Sequence, residues 1–144
     1  MRSTYRVLAM LIAVGVVLQA AFVAWGFFAV HRSTDDGEVY NTSDLNAGLS
    51  AHAIVGGSVL PLIALVLLIL SFFARIPGGV KWAAITFGVT AVQVALAYIA
   101  YSAPITGLLH GLTAFALAGV ASVAARKARD ASSAPAAPAE SAAV

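Results

Sequence analysis

The sequence contains no cysteine and few charged residues. The absence of cysteine excludes disulfides, thiolate metal sites, cysteine nucleophiles and iron–sulfur clusters held by cysteine. Only 10% of the 144 residues are charged and 61% are hydrophobic, so a water-soluble domain would have too little polar surface to cover its core. The net charge of +2 does not indicate nucleic-acid binding, because the basic residues lie beside the ends of apolar runs. We therefore expect the lipid bilayer to surround this chain.

Four apolar runs are long enough to cross a bilayer. A hydrocarbon core about 30 Å thick requires roughly 20 helical residues at about 1.5 Å each. The runs at about 7–30, 51–74, 80–101 and 105–125 predict an all-α polytopic membrane protein whose four transmembrane helices form an antiparallel bundle. We expect this domain to occupy residues 1–129. Residues 130–144, rich in Ala, Ser and Pro, predict a disordered cytoplasmic tail.

The positions of lysine and arginine predict the orientation. These residues fall before helix 1, between helices 2 and 3, and after helix 4. Because Lys and Arg concentrate in cytoplasmic loops, both termini are expected inside the cell and the 31–50 loop outside the plasma membrane. The turn from Ile76 to Gly79 predicts a tight antiparallel connection between helices 2 and 3. The charged residues of the outer loop are mostly acidic: Arg32, Asp35, Asp36, Glu38 and Asp44.

Each half of the chain pairs a helix containing glutamine with a helix that begins near a histidine. Gln19 and Gln93 lie in helices 1 and 3, and His52 and His110 lie at the starts of helices 2 and 4. The two pairs cross the membrane in the same direction, which favours two helical hairpins related as parallel repeats. Short apolar repeats also arise by chance in chains rich in Ala and Val.

His52 and His110 are the main candidates for a functional site. Ionisable residues within spanning segments are costly and usually face the bundle interior or a cavity. Both histidines lie near the outer ends of their helices, beside small residues that include Gly56 and Gly107. One interpretation is a haem site, in which the iron takes an axial imidazole from each side. The other is close helix packing, with each histidine hydrogen-bonded to a glutamine or a backbone carbonyl.

Other polar or helix-breaking residues accompany the pair. Gln19 and Gln93 lie deeper in the membrane, where we expect them mainly to join helices by hydrogen bonds. Pro61 frees the carbonyl of Gly57 and predicts a kink in helix 2. Arg32, at the end of helix 1, is a candidate partner of a haem propionate or an interfacial anchor. Two histidines without an acid at their depth make a poor zinc site, since three protein ligands are the usual minimum.

This pattern resembles one four-helix half of haem A synthase, whose units bind b-type haem through histidines at the outer ends of helices 2 and 4. The resemblance covers residues 6–126 and implies that His52 and His110 are axial ligands of haem b. Enzymes of that family carry an acidic residue one turn before the first histidine, where this chain has Leu49, and many have a cysteine pair that is absent here. These differences speak against oxidation of a haem methyl group. The chain also resembles small four-helix membrane proteins of actinobacterial type.

Two hypotheses of different classes follow. In the first, the chain binds haem b and passes electrons or holds haem near the outer membrane face, with a quinone or a membrane redox protein as partner. In the second, it is a non-catalytic accessory subunit of a membrane complex, and the histidines are buried polar contacts. An enzyme acting alone has the least support, because no nucleophile–base set or carboxylate pair lies within the helices.

Overall fold

The computed structural model describes residues 1–41 and 46–133, and all regular structure in this part of the chain is helical. Each of its four long helices is apolar enough to cross a membrane. They are α1 (Arg2–Asp35), α2 (Ala47–Ser71), α3 (Gly79–Ala100) and α4 (Thr106–Ser133). The predicted all-α bundle of four membrane-spanning helices is confirmed, and the chain is a multi-pass membrane protein.

The helices are longer than most of the apolar runs that predicted them. α1 begins before and ends beyond the predicted 7–30 span, so the first connection is shorter than the predicted 31–50 loop. α4 continues to Ser133, which makes residues 130–133 helical where a disordered tail was predicted. Apolar residues mark the stretch that lipid covers, whereas helical hydrogen bonding continues into the flanking polar residues. Residues 134–144, the rest of the predicted tail, lie outside the described residues.

α2 begins at a capped end pressed against α1. The Asn46 side chain accepts a hydrogen bond from the Leu49 N–H at 3.0 Å and donates one to the Gly26 carbonyl at 2.9 Å. Gly48 packs directly on Gly26, because a Cβ built at Gly48 would lie only 2.5 Å from the Gly26 nitrogen. Glycine at this crossing therefore allows the two backbones to touch.

A tight turn joins α2 to α3. Gly78 has φ +73° and ψ 6°, and the Gly79 N–H donates to the Ile76 carbonyl at 2.8 Å. With Pro77 at the second position and Gly78 at the third, this is a type II β-turn, whose third residue requires the positive φ that glycine adopts freely. The predicted antiparallel connection is confirmed.

The most tightly packed core lies at the end of the bundle that carries the start of α1 and the end of α4, which we call the terminal end. Buried side chains of α1 and α4 meet there at helical spacing: Tyr5, Ala9, Ile12, Leu117, Ala121, Ala124 and Ala128. The alanines let the two helices approach closely. The Tyr5 hydroxyl donates to the Gly79 carbonyl at 2.8 Å, and Arg2 donates to the carbonyls of Ala131 and Arg75. These bonds join the start of α1 to α3, to α4 and to the segment that connects α2 with α3.

The opposite end, which carries His52 and His110 and which we call the histidine end, is more open. α2 packs along α1, and α4 packs along α1 and α3. α3 approaches α2 through the Leu60–Ser71 part, so residues 47–59 have little backbone contact with α3 or α4. A seam therefore separates the two hairpins at the histidine end.

Large apolar side chains cover the outside of the bundle. Trp25, Phe28, Leu62 and Phe115 are each more than half exposed, and they have many apolar neighbours on the same surface. Water-soluble monomers rarely expose apolar surface this extensive. In a protein of four spanning helices, these side chains contact lipid.

Candidate functional site

His52 and His110 face each other across the seam. The centres of their imidazole rings lie 6.1 Å apart, and the ring planes make an angle of 75°. Both residues are half-buried. The similar depth of the two histidines on helices of the same direction predicted such a meeting, and the structure brings the rings together. Their role as haem ligands stays a prediction.

Each imidazole is held by the backbone of a glutamine in the preceding helix. The distance from His52 Nδ1 to the Gln19 carbonyl oxygen is 3.3 Å, and that from His110 Nδ1 to the Gln93 carbonyl oxygen is 3.0 Å. Because a carbonyl oxygen only accepts, Nδ1 carries the proton and donates in both rings. In a neutral ring Nε2 is then unprotonated and free to bind a metal or accept a hydrogen bond. The two hairpins hold their histidines in the same way, as the predicted repeat requires.

The side chain of Gln93 adds further bonds in the second hairpin. Its amide nitrogen donates to the His110 carbonyl at 2.9 Å and lies 3.3 Å from His110 Nε2. That ring nitrogen has no proton, so it accepts from the amide. The Thr113 hydroxyl donates to Gln93 Oε1. Gln93, His110 and Thr113 therefore form one hydrogen-bonded unit between α3 and α4, which confirms that Gln93 joins helices.

The side chain of Gln19 has no such partner in the first hairpin. It is 8% exposed, and neither its amide nitrogen nor its amide oxygen forms a hydrogen bond within the described residues. Val55 stands three residues after His52, where the second hairpin has Thr113 three residues after His110. A buried amide without partners is costly. Gln19 is thus available to a polar group that enters the seam.

Gly56 creates the space that the Gln19 side chain occupies. A Cβ built at Gly56 would lie 2.7 Å from Gln19 Oε1, closer than real Cβ contacts. At Gly107, one turn before His110, no atom of the described residues beyond its own helix backbone and chain neighbours lies within 4 Å of the corresponding position. Gly56 therefore makes room for a side chain of this chain, whereas Gly107 borders open space. A contact of either glycine with haem stays a prediction.

A π-helical turn, Val55–Val59, interrupts α2 just after His52. The Leu60 N–H donates to the Val55 carbonyl five residues earlier, and Pro61 has no N–H to offer the Gly57 carbonyl. The sequence predicted a kink from Pro61, and the structure has a π-helical turn just before this residue; the kink itself stays a prediction. Such turns are rare and occur frequently at functional sites. This one separates the histidine-bearing part of α2 from its well-packed Leu60–Ser71 part.

Arg32, the candidate partner of a haem propionate, lies on an exposed surface. The Arg32 side chain is 88% exposed, and its Nε lies 4.0 Å from the Asp36 carboxylate. A contact between Arg32 and a haem propionate stays a prediction. Asp44, an acid of the predicted outer loop, lies outside the described residues.

Thr113 and Asn46 were not among the predicted site residues, although each follows a recognisable pattern. Thr113 lies on the same helical face as His110, and a hydroxyl facing a glutamine on a neighbouring membrane helix is a common source of interhelical hydrogen bonds. Asn46 directly precedes an apolar run, which is an N-cap signal. Sequence patterns could therefore have identified both residues.

Comparison with known protein families, characterised proteins and solved structures finds no match to this chain. The resemblance to haem A synthase stays a prediction based on helix number and histidine placement. Function is therefore inferred from the site itself.

Proposed function

We propose that this chain is a b-haem-binding membrane protein in which His52 and His110 are the axial ligands. It passes electrons or holds haem near the outer face of the plasma membrane. The proposal rests on the facing imidazoles, whose ring centres lie 6.1 Å apart and whose Nδ1 atoms are both anchored to glutamine carbonyls.

The ring separation suits a metal ion between the histidines. With metal–nitrogen bonds of about 2 Å, two imidazoles on opposite sides of one ion have ring centres roughly 6 Å apart. The observed distance is 6.1 Å. Donation from Nδ1 to a carbonyl is the usual way in which a ligating histidine is oriented, because it leaves Nε2 for the metal. Gln19 and Gln93 therefore supply the orienting contacts of the proposed site.

The set of donors at the site favours iron in a macrocycle over a bare ion. In residues 1–41 and 46–133 no group of three or more His, Cys, Asp or Glu side chains is close enough to hold a metal ion. Two imidazoles alone do not complete a zinc site, whereas haem brings its own equatorial nitrogens and needs only axial ligands. The seam between the hairpins and the open space beside Gly107 provide access from one side of the bundle.

When bound, haem supplies one-electron chemistry. The chain would contribute the ligands His52 and His110 and the carbonyls that fix their tautomer. Gln93 also donates to His110 Nε2, so this contact must be released for that nitrogen to bind iron. Release leaves the Gln93 amide bonded to the His110 carbonyl and to Thr113.

The distribution of basic residues supports the proposed orientation. Arg75 and Lys81 flank the turn at the terminal end, and Arg126, Lys127 and Arg129 lie near the end of α4. Their excess at this end favours a cytoplasmic location for it and an extracytoplasmic location for the histidine end. A quinone or a membrane redox protein is then the expected electron partner.

A second function is favoured by the same hydrogen bonds. Each Nδ1 already binds a carbonyl, and His110 Nε2 already accepts from Gln93. Histidines satisfied in this way serve as interhelical contacts without a metal. In this alternative the chain is a non-catalytic accessory subunit that packs against a larger membrane complex.

Haem content distinguishes the two functions. The full chain is purified in mild detergent from cells with ample haem, beside His52→Ala, His110→Ala and His31→Ala. His31 is a matched control, because its Nδ1 pairs with Asp35 at 2.9 Å on an exposed face. We expect about one haem per chain in the wild type and in His31→Ala, and less than roughly a tenth of that in the other two variants. Haem-free protein in all four, with helical content intact, would favour the accessory subunit.

A further inference from the structure

A groove runs along the outside of α1 and α4 at the terminal end, away from the histidines. Its volume is about 330 Å³. Its lining includes Arg6, Met10 and Val14 from α1, and Ser122, Arg126 and Arg129 from α4. The spacings of four on α1 and of three or four on α4 place each set on one helical face. Two helix faces therefore build the groove, and each contributes arginine at the same end.

The arginines of the groove are largely uncompensated. Arg6 and Arg126 form no ion pair or side-chain hydrogen bond with the part of the chain that the structure describes. Arg129 lies 3.6 Å from the Asp130 carboxylate, in a pair whose side chains are both more than half exposed. An exposed pair of adjacent residues contributes little. The groove therefore presents a concentrated positive charge.

The groove is also amphiphilic along its length. Val14 lies eight residues after Arg6 on α1, which places it about 12 Å further along the helix axis, toward the middle of the membrane-spanning part. Between the arginines and Val14 the α1 wall is apolar, and Ser122 bonds to the Ala118 carbonyl of its own helix. Because both helices span the membrane, this apolar stretch opens toward the acyl chains of the bilayer.

We infer that this groove binds an anionic phospholipid. The phosphate lies among Arg6, Arg126 and Arg129, and an acyl chain lies along Met10 and Val14. Arginine suits this role because its planar guanidinium donates two parallel hydrogen bonds to phosphate oxygens. Basic pockets between membrane helices on the cytoplasmic side are known to hold lipid headgroups. The inference is independent of the proposed haem site.

Native mass spectrometry of the delipidated full chain tests the inference, with phosphatidylglycerol and phosphatidylcholine of identical acyl chains as probes. We expect the wild type to prefer phosphatidylglycerol by roughly tenfold, since each arginine near an anionic headgroup contributes several-fold. The double variant Arg6→Gln/Arg126→Gln should lose most of this preference. The charge-matched control Lys81→Gln/Lys127→Gln, at the same end but outside the groove, should retain it.

A second variant tests whether an acyl chain lies along Met10 and Val14. Val14→Trp fills the deeper groove at a residue that is 54% exposed, so the fold is expected to tolerate it. It should weaken phosphatidylglycerol binding while all three arginines remain. The inference is overturned if the wild type binds both lipids equally, if the lysine variant loses as much preference as the arginine variant, or if excess inorganic phosphate displaces the lipid. Haem content, measured on the same samples, should not change.

Discussion

His110 and Gln93 bind each other reciprocally. His110 Nδ1 donates to the Gln93 backbone carbonyl at 3.0 Å, and the Gln93 amide donates back to the His110 backbone carbonyl at 2.9 Å. In the first hairpin only one of these bonds exists, from His52 Nδ1 to the Gln19 carbonyl at 3.3 Å. At the histidine pair, the helices of the second hairpin therefore share more hydrogen bonds than those of the first.

Thr113→Val should destabilise the second hairpin. The change removes the hydroxyl that donates to Gln93 Oε1, a partly buried oxygen with no other hydrogen bond among the described residues. We expect a loss of about 1 kcal/mol in the free energy of unfolding, a typical size for one interhelical hydrogen bond in a membrane protein. Equilibrium unfolding in mixed detergent micelles measures this change in the free energy of unfolding. Ser132→Ala is the control, because its hydroxyl bonds only to the Ala128 carbonyl of the same helix and should cost little.

Val55→Thr should stabilise the first hairpin, in contrast to the loss expected for Thr113→Val in the second. It places a hydroxyl three residues after His52, the position that Thr113 holds relative to His110. The new hydroxyl can meet the buried amide of Gln19, which has no partner among the described residues. We expect a gain of about 0.5–1 kcal/mol in the same unfolding assay. Val59→Thr, in the same π-helical turn, is the control. A loss of stability in Val55→Thr equal to that of the control would show that a hydroxyl at position 55 does not bind the Gln19 amide.

Gly48→Ala should disrupt the crossing of α1 and α2. Its Cβ would lie 2.5 Å from the Gly26 nitrogen and 2.8 Å from the Phe22 oxygen, and these backbone atoms cannot move aside without separating the helices. Gly119→Ala is the matched control, since its Cβ meets no atom within 4 Å. We expect Gly48→Ala to cost at least about 2 kcal/mol and Gly119→Ala to be neutral or stabilising. Equal stabilities of the two variants would contradict the close crossing.

The fold was predictable because hydrophobic length is a direct physical constraint in a bilayer. Four long apolar runs and the Pro77–Gly78 turn were sufficient to predict four antiparallel helices. The meeting of His52 and His110 followed from their equal depth on helices of the same direction. The ends of α1 and α4 were missed, because polar residues continue a helix beyond the apolar stretch.

The details of the site depend on contacts that sequence spacing does not determine. Gln19 and Gln93 have similar local sequences, yet only Gln93 has partners for its side chain, because Thr113 faces it. Pro61 predicted a kink in α2, whereas the π-helical turn that precedes it was not predicted. The arginines were explained by topology alone, and only the packing of α1 on α4 shows that Arg6, Arg126 and Arg129 share a groove.

The most direct test of the proposed function is a reduced-minus-oxidised absorption spectrum of the purified full chain beside His52→Ala, His110→Ala and His31→Ala. The proposed function predicts sharp low-spin b-type bands in the wild type and in His31→Ala, and their loss in the other two variants, because both imidazoles of the facing pair are required as axial ligands. A well-folded wild type that stays colourless after reconstitution with haem would contradict it. Bands that persist in both His52→Ala and His110→Ala would do the same.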